Sequence, residues 1–280
     1  MSTLATLRTE IQLRLRDVTG RVMTAASTDI LINTALEEWV NETEEIRQEN
    51  AFALTNSQFD YAAPSDLIKI LSAWYGPTRQ DVRAMGHNEF RDFGGAWGMV
   101  SVPRVLTVEG QNAAYRFRLW PAPSVTSGTT TISGNITSSV TTIPVAAVTN
   151  FRSPSGWILI GSEKILYQTL DSTNFLLCRR GMGGTTAASH TSGDTVTQMD
   201  LHVWYARKAA TLSADGDIPE IDARWHRALV YKALALAMVL EGRHQEAQAN
   251  EATYMSYLHD AKVNLRRAQA QSPAQMRTYY

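Results

Sequence analysis

Phe59-Asp60-Tyr61-Ala62-Ala63-Pro64-Ser65-Asp66-Leu67-Ile68-Lys69-Ile70 is the stretch in which the chain stops reading as helix. Upstream of it, apolar residues recur every three or four positions. From Ala51 onward they alternate, as Phe52 and Leu54, then Phe59 and Tyr61, do. Pro64-Ser65-Asp66 supplies a turn, and residues 67–75 follow as an apolar strand closed by Gly76-Pro77. A chain that changes period here and changes back before its end is α+β.

Working outward toward the N-terminus, Leu4, Leu7, Ile11, Leu15 and Val18 share one helical face, and Gly20 is placed to end that helix. Ser27 or Thr28 is placed to cap a second helix, with Asp29 in its first turn. Leu31, Ala35, Trp39 and Ile46 continue the apolar face. The opposite face carries Glu37, Glu38, Glu42, Glu44, Glu45 and Glu49, so that residues 29–49 hold seven acids against Arg47, a net of −6.

Toward the C-terminus, residues 81–93 read as one short helix stopped by Gly94-Gly95. Residues 102–108 and 115–120 read as a hairpin around Glu109-Gly110-Gln111-Asn112, ended by Pro121 and Pro123. Residues 201–208 form one more strand with Leu201, Val203 and Tyr205 on one side. Asp222 is placed to cap an Ala-rich helix running to Leu240, and Gly242 breaks it. A last helix spans 243–271, with Tyr254, Leu258, Ala261, Leu265 and Ala268 spaced by four, three, four and three, and Pro273 ends it.

Residues 124–198 differ from everything around them. Ser and Thr make up 26 of these 75 positions, and no helical period is visible. Short β-type runs recur at 129–132, 141–145, 157–160, 164–169, 175–179 and 195–196, punctuated by Gly156, Gly161, Gly181, Gly183, Gly184 and Gly193. The alternating apolar residues of 157–179 argue against a flexible linker. The reading is a small all-β barrel or sandwich inserted into a helical host, with 124–128 and 197–200 as its joins.

Composition narrows the chemistry. The chain has 280 residues, 44% hydrophobic and 19% charged, with a net charge of −1, so no global basic field draws it onto nucleic acid. Its one cysteine, Cys178, excludes an internal disulfide framework and a Cys-based zinc site. The apolar run 233–240 is too short to cross a bilayer, which needs about 20 apolar residues, and no signal-peptide pattern opens the sequence. A soluble protein maturing in a reducing cytosol is expected. Only five of the 26 basic residues are Lys, and the 21 Arg stand beside seven Trp and ten Tyr, a mix that fits either protein–protein interfaces or a compositional bias toward Arg.

No catalytic constellation emerges. The six His are scattered, without the pairwise spacing of a metal site. Arg179-Arg180-Gly181-Met182-Gly183-Gly184 lacks the Lys–Ser/Thr ending of a phosphate loop and opens no helix. Ser162 lacks the second glycine of a nucleophile elbow. Cys178, in an apolar β run, reads as an inert thiol. No metal and no cofactor are implied. Two features invite a functional reading. The acidic helix face suits a wall past which DNA slides without sticking, or a plain solvated surface. Positions 261–280 hold Lys262, Arg266, Arg267 and Arg277 and no acid, and end in Tyr279-Tyr280, a combination suited to docking into a partner or to a frayed terminus.

Three stretches, in this order, resemble the head-to-tail adaptor (connector) proteins of tailed bacteriophages. The first is Phe59 to Ile70, quoted above. The second is Phe117-Arg118-Leu119-Trp120-Pro121-Ala122-Pro123. The third is Val203-Trp204-Tyr205-Ala206-Arg207, then Leu212 and Ile218-Pro219-Glu220 leading into the Ala-rich helix. The likeness covers most of 1–123 and 199–271. Residues 124–198 depart from it and look like small β modules added to phage virion proteins, with Gly156-Trp157-Ile158-Leu159-Ile160-Gly161-Ser162-Glu163, and Arg180-Gly181 near Thr185 and His190, as the cue.

The resemblance implies a helical-bundle adaptor core with short β-hairpins, made of 1–123 and 199–271. It implies an inserted β domain at 124–198 and a portal-docking tail at 272–280. It further implies a virion neck protein without catalysis: a homo-oligomeric ring, commonly twelve-fold, that joins portal to tail. Such a ring extends the channel for double-stranded DNA, serves genome retention and ejection, assembles in the host cytoplasm and touches no membrane. By that likeness Arg266, Arg267, Met276, Arg277, Thr278, Tyr279 and Tyr280 are expected to dock on the portal. Part of the acidic set Glu37, Glu38, Glu42, Glu44, Glu45 and Glu49 is expected at the channel or a subunit seam, and the insertion on the periphery against tail or fibre proteins. The alternatives are a glycan-binding or cell-wall-degrading virion component using Trp157, Tyr167 and Phe175, a tail-completion ring, or a small portal, which length disfavours.

Overall fold

The computed structural model describes residues 2–17, 23–76, 80–93, 98–111 and 114–271. It mixes helix and sheet, and the chain divides into two compact units, residues 1–47 with 206–280 and residues 48–205.

The first unit opens with α1 (Leu4–Leu15), whose N-cap Thr3 accepts a hydrogen bond from the Thr6 N–H. The helix stops earlier than the apolar spacing suggested. Arg16 takes the left-handed conformation at φ 60°, and the Asp17 N–H reaches back to the Gln12 carbonyl, a C-terminal motif in which Arg16 stands where glycine is usual. Val18 and Gly20 lie outside the described residues. Next comes α2 (Ala25–Thr43), capped by Thr24, not by Ser27 or Thr28. Thr28 is buried inside the first turn, with its hydroxyl on the Thr24 carbonyl. The helix expected to run to residue 49 ends at Thr43, where Glu44 turns left-handed at φ 52°. Ile46 and Glu49 therefore do not share the α2 faces.

The second unit follows with β1 (Arg47–Phe52), β2 (Asp60–Ala62), β3 (Leu67–Tyr75), β4 (Gln80–Asp81), β5 (Arg83–Ala84), α3 (His87–Phe93), β6 (Val100–Ser101), β7 (Val105–Gln111), β8 (Ala114–Trp120) and β9 (Ala122–Pro123). The single helix read over 81–93 is confined to α3. Ahead of it, Val82 is drawn into the core, its N–H bonded to the Ala73 carbonyl, and β5 pairs parallel to β7. Sheet pairing here overrides local propensity. The hairpin of β7 and β8 keeps register from Val105–Trp120 to Gln111–Ala114; residues 112 and 113 lie outside the described set.

Residues 124–199, expected as an inserted β domain, contribute β10 (Thr129–Thr131), β11 (Ile143–Pro144), β12 (Gly156–Ile160), β13 (Glu163–Tyr167), β14 (Thr169–Leu170), β15 (Asn174–Leu176), β16 (Arg179–Met182) and β17 (Thr195–Met199), all within the second unit. A five-stranded sheet, ordered β10-β17-β12-β13-β16, and a three-stranded sheet, β11-β15-β14, share one core of Ile143, Ile158, Ile160, Ile165, Tyr167, Phe175 and Val196 among others. Neither closes into a barrel. Tyr167 explains one glycine: a Cβ on Gly156 would lie 2.5 Å from the Tyr167 hydroxyl. The expected exit join 197–200 is not a linker, since β17 runs to Met199 and only Asp200 separates it from β18 (Leu201–Arg207). Strand β18 lies between β1 and β3 in the sheet β1-β18-β3-β4, and a second host sheet is ordered β2-β8-β7-β5. Leu201, Val203 and Tyr205 enter the host core with Tyr61, Phe117 and Leu119.

Back in the first unit, Asp222 caps a 3-10 turn at Ala223–Trp225 that leads into α4 (His226–Leu240). Helix α4 buries apolar residues around most of its circumference and is the central rod, with α1, α2 and α5 (His244–Gln271) against it. Gly242 makes the corner at φ 74°. Trp39, fully buried, packs on Trp225 at 5.8 Å and on Tyr254 at 6.0 Å between ring centroids. Trp39→Ala should cost about 3–5 kcal/mol of stability, read as a lowered denaturation midpoint at unchanged denaturant slope.

Candidate functional site

The acids expected to form one wall fall into separate settings. Glu38 and Glu251 bracket the Lys232 ammonium at 2.8 and 2.9 Å, and that lysine is only 8% exposed, lying over the Tyr254 ring. Burial opposes the charge on Lys232, but the two carboxylates outweigh it and raise its pKa. Glu42 pairs with Lys262 at 2.6 Å. Glu45 accepts a hydrogen bond from the Asp222 N–H, and burial pushes its carboxyl up. Glu44 is the α2 C-cap, its carbonyl accepting from Arg47 Nε. Glu49 sits on β1, where its carboxylate meets His202 Nδ1 at 3.0 Å and its carbonyl accepts from Lys164 Nζ. Glu37 is exposed and makes no ion pair among the described residues. Of the expected docking set, Arg266 and Arg267 are exposed on the last turns of α5; Met276, Arg277, Thr278, Tyr279 and Tyr280 lie outside the described residues.

The most constrained polar site lies where the insertion leaves the host sheets. The Asp200 side chain is buried. One carboxylate oxygen accepts from Arg152 Nε at 2.9 Å and Gln198 Nε2 at 3.0 Å, and the other from the Ser127 hydroxyl at 2.5 Å. Its backbone is used as well: the Asp200 N–H donates to the Phe52 carbonyl, and its carbonyl accepts from the Gly76 N–H. Ser127 in turn exchanges hydrogen bonds with the Leu54 backbone through its own N–H and its hydroxyl oxygen. Arg152 also donates to the Tyr75 hydroxyl, and the Tyr167 hydroxyl donates to the Arg152 carbonyl. Five stretches of chain, near 53, 75, 127, 152 and 199, thus meet at Asp200 and its partners. Beside them, the His202 ring stacks on Trp74 at 5.3 Å and meets Trp157 of the insertion edge-on, also at 5.3 Å.

A second buried carboxylate closes the insertion itself. Glu163 is fully enclosed and accepts from Arg180 Nε and Nη2, both at 2.7 Å, and from the backbone N–H groups of Gly181 and Ala188. It also meets His190 Nε2 at 2.7 Å. Arg180 spends its remaining donors on the Thr137 and Ala188 carbonyls. Burial would raise the Glu163 pKa, but the hydrogen bonds from Arg180, His190, Ala188 and Gly181 overcome it and hold the carboxyl down at about 2. The residues of the expected β module, Glu163, Arg180, Gly181 and His190, therefore form an internal staple. Period-two alternation was the available signal, because it puts Glu163 on the inward face with Ile165 and Tyr167.

Nothing in these clusters has the geometry of a nucleophile and base. The glycine-rich stretch after Arg179 turns back along β16 and opens no helix. Burial pushes the Cys178 thiol up to about 12, so it stays protonated and unreactive. Of the three rings considered for sugar stacking, Tyr167 and Phe175 are fully buried core and unavailable to a glycan. Trp157 is half-buried against His202. Among the described residues no cluster of three or more His, Cys, Asp or Glu is placed to hold a metal, and no helix is long and apolar enough to cross a membrane.

The family model described as SU10 adaptor protein matches this chain over residues 2–277. No curated protein matches it.

Because Glu163 ionises near 2 against an ordinary 4.5, its contribution to stability is full above about pH 4.5 and is lost as pH falls toward 2. Melting temperatures of the full chain across this window should fall with acid. Glu163→Gln should be less stable at neutral pH by about 3–5 kcal/mol, because it leaves Arg180 buried without its counter-charge, and its acid slope should be shallower. Asp200→Ala should likewise strand Arg152 and open the joint, read as faster limited proteolysis at residues 124–128.

Proposed function

Because the chain belongs to the SU10 adaptor protein family, a family of structural phage adaptors, we propose that it joins portal to tail as a homo-oligomeric ring around the DNA channel. As a phage adaptor it is a structural component of the virion that works with other head and tail proteins, and it is not an enzyme. The observation that carries the ring and portal reading is the family match from residue 2 to residue 277. Support comes from the first unit, where charge is segregated: α2 is acidic in its C-terminal half, and the last turns of α5 carry Lys262, Arg266 and Arg267. Unlike faces of this kind suit identical subunits that meet head to tail until the rotation closes, twelve-fold by resemblance to related adaptors.

In this reading the basic end of the chain, Arg266 and Arg267 together with Met276-Arg277-Thr278-Tyr279-Tyr280, docks on the portal. Arginine forks and tyrosine rings give directional contacts with few rotors to immobilise. The ring extends the channel for double-stranded DNA, which passes without base-specific contacts and is retained or released there. The insertion stands on the periphery and meets tail or fibre proteins, its shape held by the Glu163 staple.

Co-sedimentation of the purified chain with portal tests this. The complete chain should pellet with portal as rings visible by negative stain. Deletion of residues 274–280 should leave the melting temperature unchanged and abolish co-sedimentation. Full binding by the truncated chain would remove the docking role from the tail.

A further inference from the structure

Strand β1 is the longest sheet edge among the described residues. It holds six residues at the end of the sheet β1-β18-β3-β4, whereas every other strand at a sheet edge holds two to four. A short edge offers another chain little backbone to pair with, but six residues make a template. The Arg207 N–H donates to the Ile46 carbonyl, and the Asp200 N–H to the Phe52 carbonyl. Even-numbered residues of β1 therefore turn their backbone groups toward β18, and residues 47, 49 and 51 turn theirs to the open side.

Two of those outward groups are occupied, both by side chains. The Ala51 N–H donates to Asn50 Oδ1 at 2.9 Å. The Glu49 carbonyl accepts from Lys164 Nζ at 3.2 Å. Lys164 comes from β13 of a different sheet, and the structure makes room for its reach. Its own N–H donates to Thr185 Oγ1 at 3.0 Å, and it stands opposite Met182 of β16. The next residue, Gly183, has φ 60°, and a Cβ there would lie 3.2 Å from Lys164 Cδ, so glycine clears the path of the lysine stem. Burial lowers the Lys164 pKa against the pull of Glu49. The ammonium thus gives up hydration to sit on a backbone carbonyl that strand pairing would need.

We propose that Asn50 and Lys164 close the outer edge of β1 to the β1 strand of a second copy. Backbone pairing is blind to most of the side-chain sequence, and wherever copies gather the same strand of the next copy is the most concentrated partner. Antiparallel β1-on-β1 pairing would be two-fold and self-complementary, so it would tie subunits into dimers that cannot continue around a ring. That consequence rests on the ring reading above; the closure of the edge does not.

Sedimentation of the full chain carrying Asn50→Ala with Lys164→Met tests it. Methionine keeps most of the stem and donates nothing. The double variant should keep a cooperative melt and sediment at twice the mass of the unmutated chain at equal concentration. With Gln48→Cys added, mild oxidation should give a covalent dimer on a denaturing gel, since the native Cys178 is buried and unreactive. Gln48→Cys alone should give none. A folded double variant that sediments like the unmutated chain would overturn the proposal. So would a dimer that oxidation leaves unlinked, which places the contact elsewhere, or a covalent dimer from Gln48→Cys alone. If the double variant loses its melt, amide exchange decides: Asn50→Ala alone should speed exchange at Ala51 about five-fold, and an unchanged rate would overturn the guard.

Discussion

One buried aspartate, Asp200, ties the β stretch of residues 124–199 to the strands beside it in the second unit. A charge taken out of water is tolerable only when its lone pairs are occupied, and here Arg152, Gln198 and Ser127 occupy them while its own backbone joins Phe52 and Gly76. Each partner comes from a different stretch of chain, so the carboxylate fixes where the insertion begins, where it ends and how it lies on the host sheets. His202, stacked on Trp74 and met edge-on by Trp157, adds an aromatic contact to the same joint. Removing any member leaves another polar group buried without a partner, and this interdependence distinguishes the joint from a linker.

The helical unit is organised on a different principle. Its core is apolar, centred on α4 and on Trp39 between Trp225 and Tyr254. Its polar contacts lie near the surface, where Lys232 and Lys262 take up acids of α2. Among the described residues Glu37 of α2 makes no ion pair, and it stands beside an apolar groove. In a structural virion protein such leftovers on the surface matter more than buried polar groups, because assembly works through faces that the folded chain has not satisfied.

Periodicity was enough to read most of the elements: the helices α1, α2, α4 and α5, the β7–β8 hairpin and the β character of 124–198 all follow from spacings of 3.6 or 2. Helix ends were read less well, for identifiable reasons. Arg16 and Glu44 adopt a conformation that favours glycine, and the sequence gives no local sign of it. Val82 left a helical pattern for the Ala73 carbonyl, and its neighbours Arg83 and Ala84 for Val105 and Leu106 of β7. The carboxylate at 163 was legible in principle, since it is an acid on the inward side of an apolar strand, whereas Asp200 lies between two strands; their partners Arg180 and Arg152 could be identified only from the fold. The acidic face of α2 was visible in sequence, whereas its partial neutralisation by Lys232 and Lys262 required the packing of α4 and α5. The tail that was expected to dock lies outside the described residues.

The single residue between β17 and β18 has a mechanical consequence. Load applied to the insertion by anything attached to it passes through Asp200 into a strand flanked on both sides by β1 and β3, so it is resisted by rows of backbone hydrogen bonds in shear rather than one at a time. Residues 124–199 are thus joined to that sheet without slack at this end. Excising them would require more than a shorter loop: the aspartate at 200 and the tyrosine at 75 would both need apolar replacements before the remaining sheet could close over the cut.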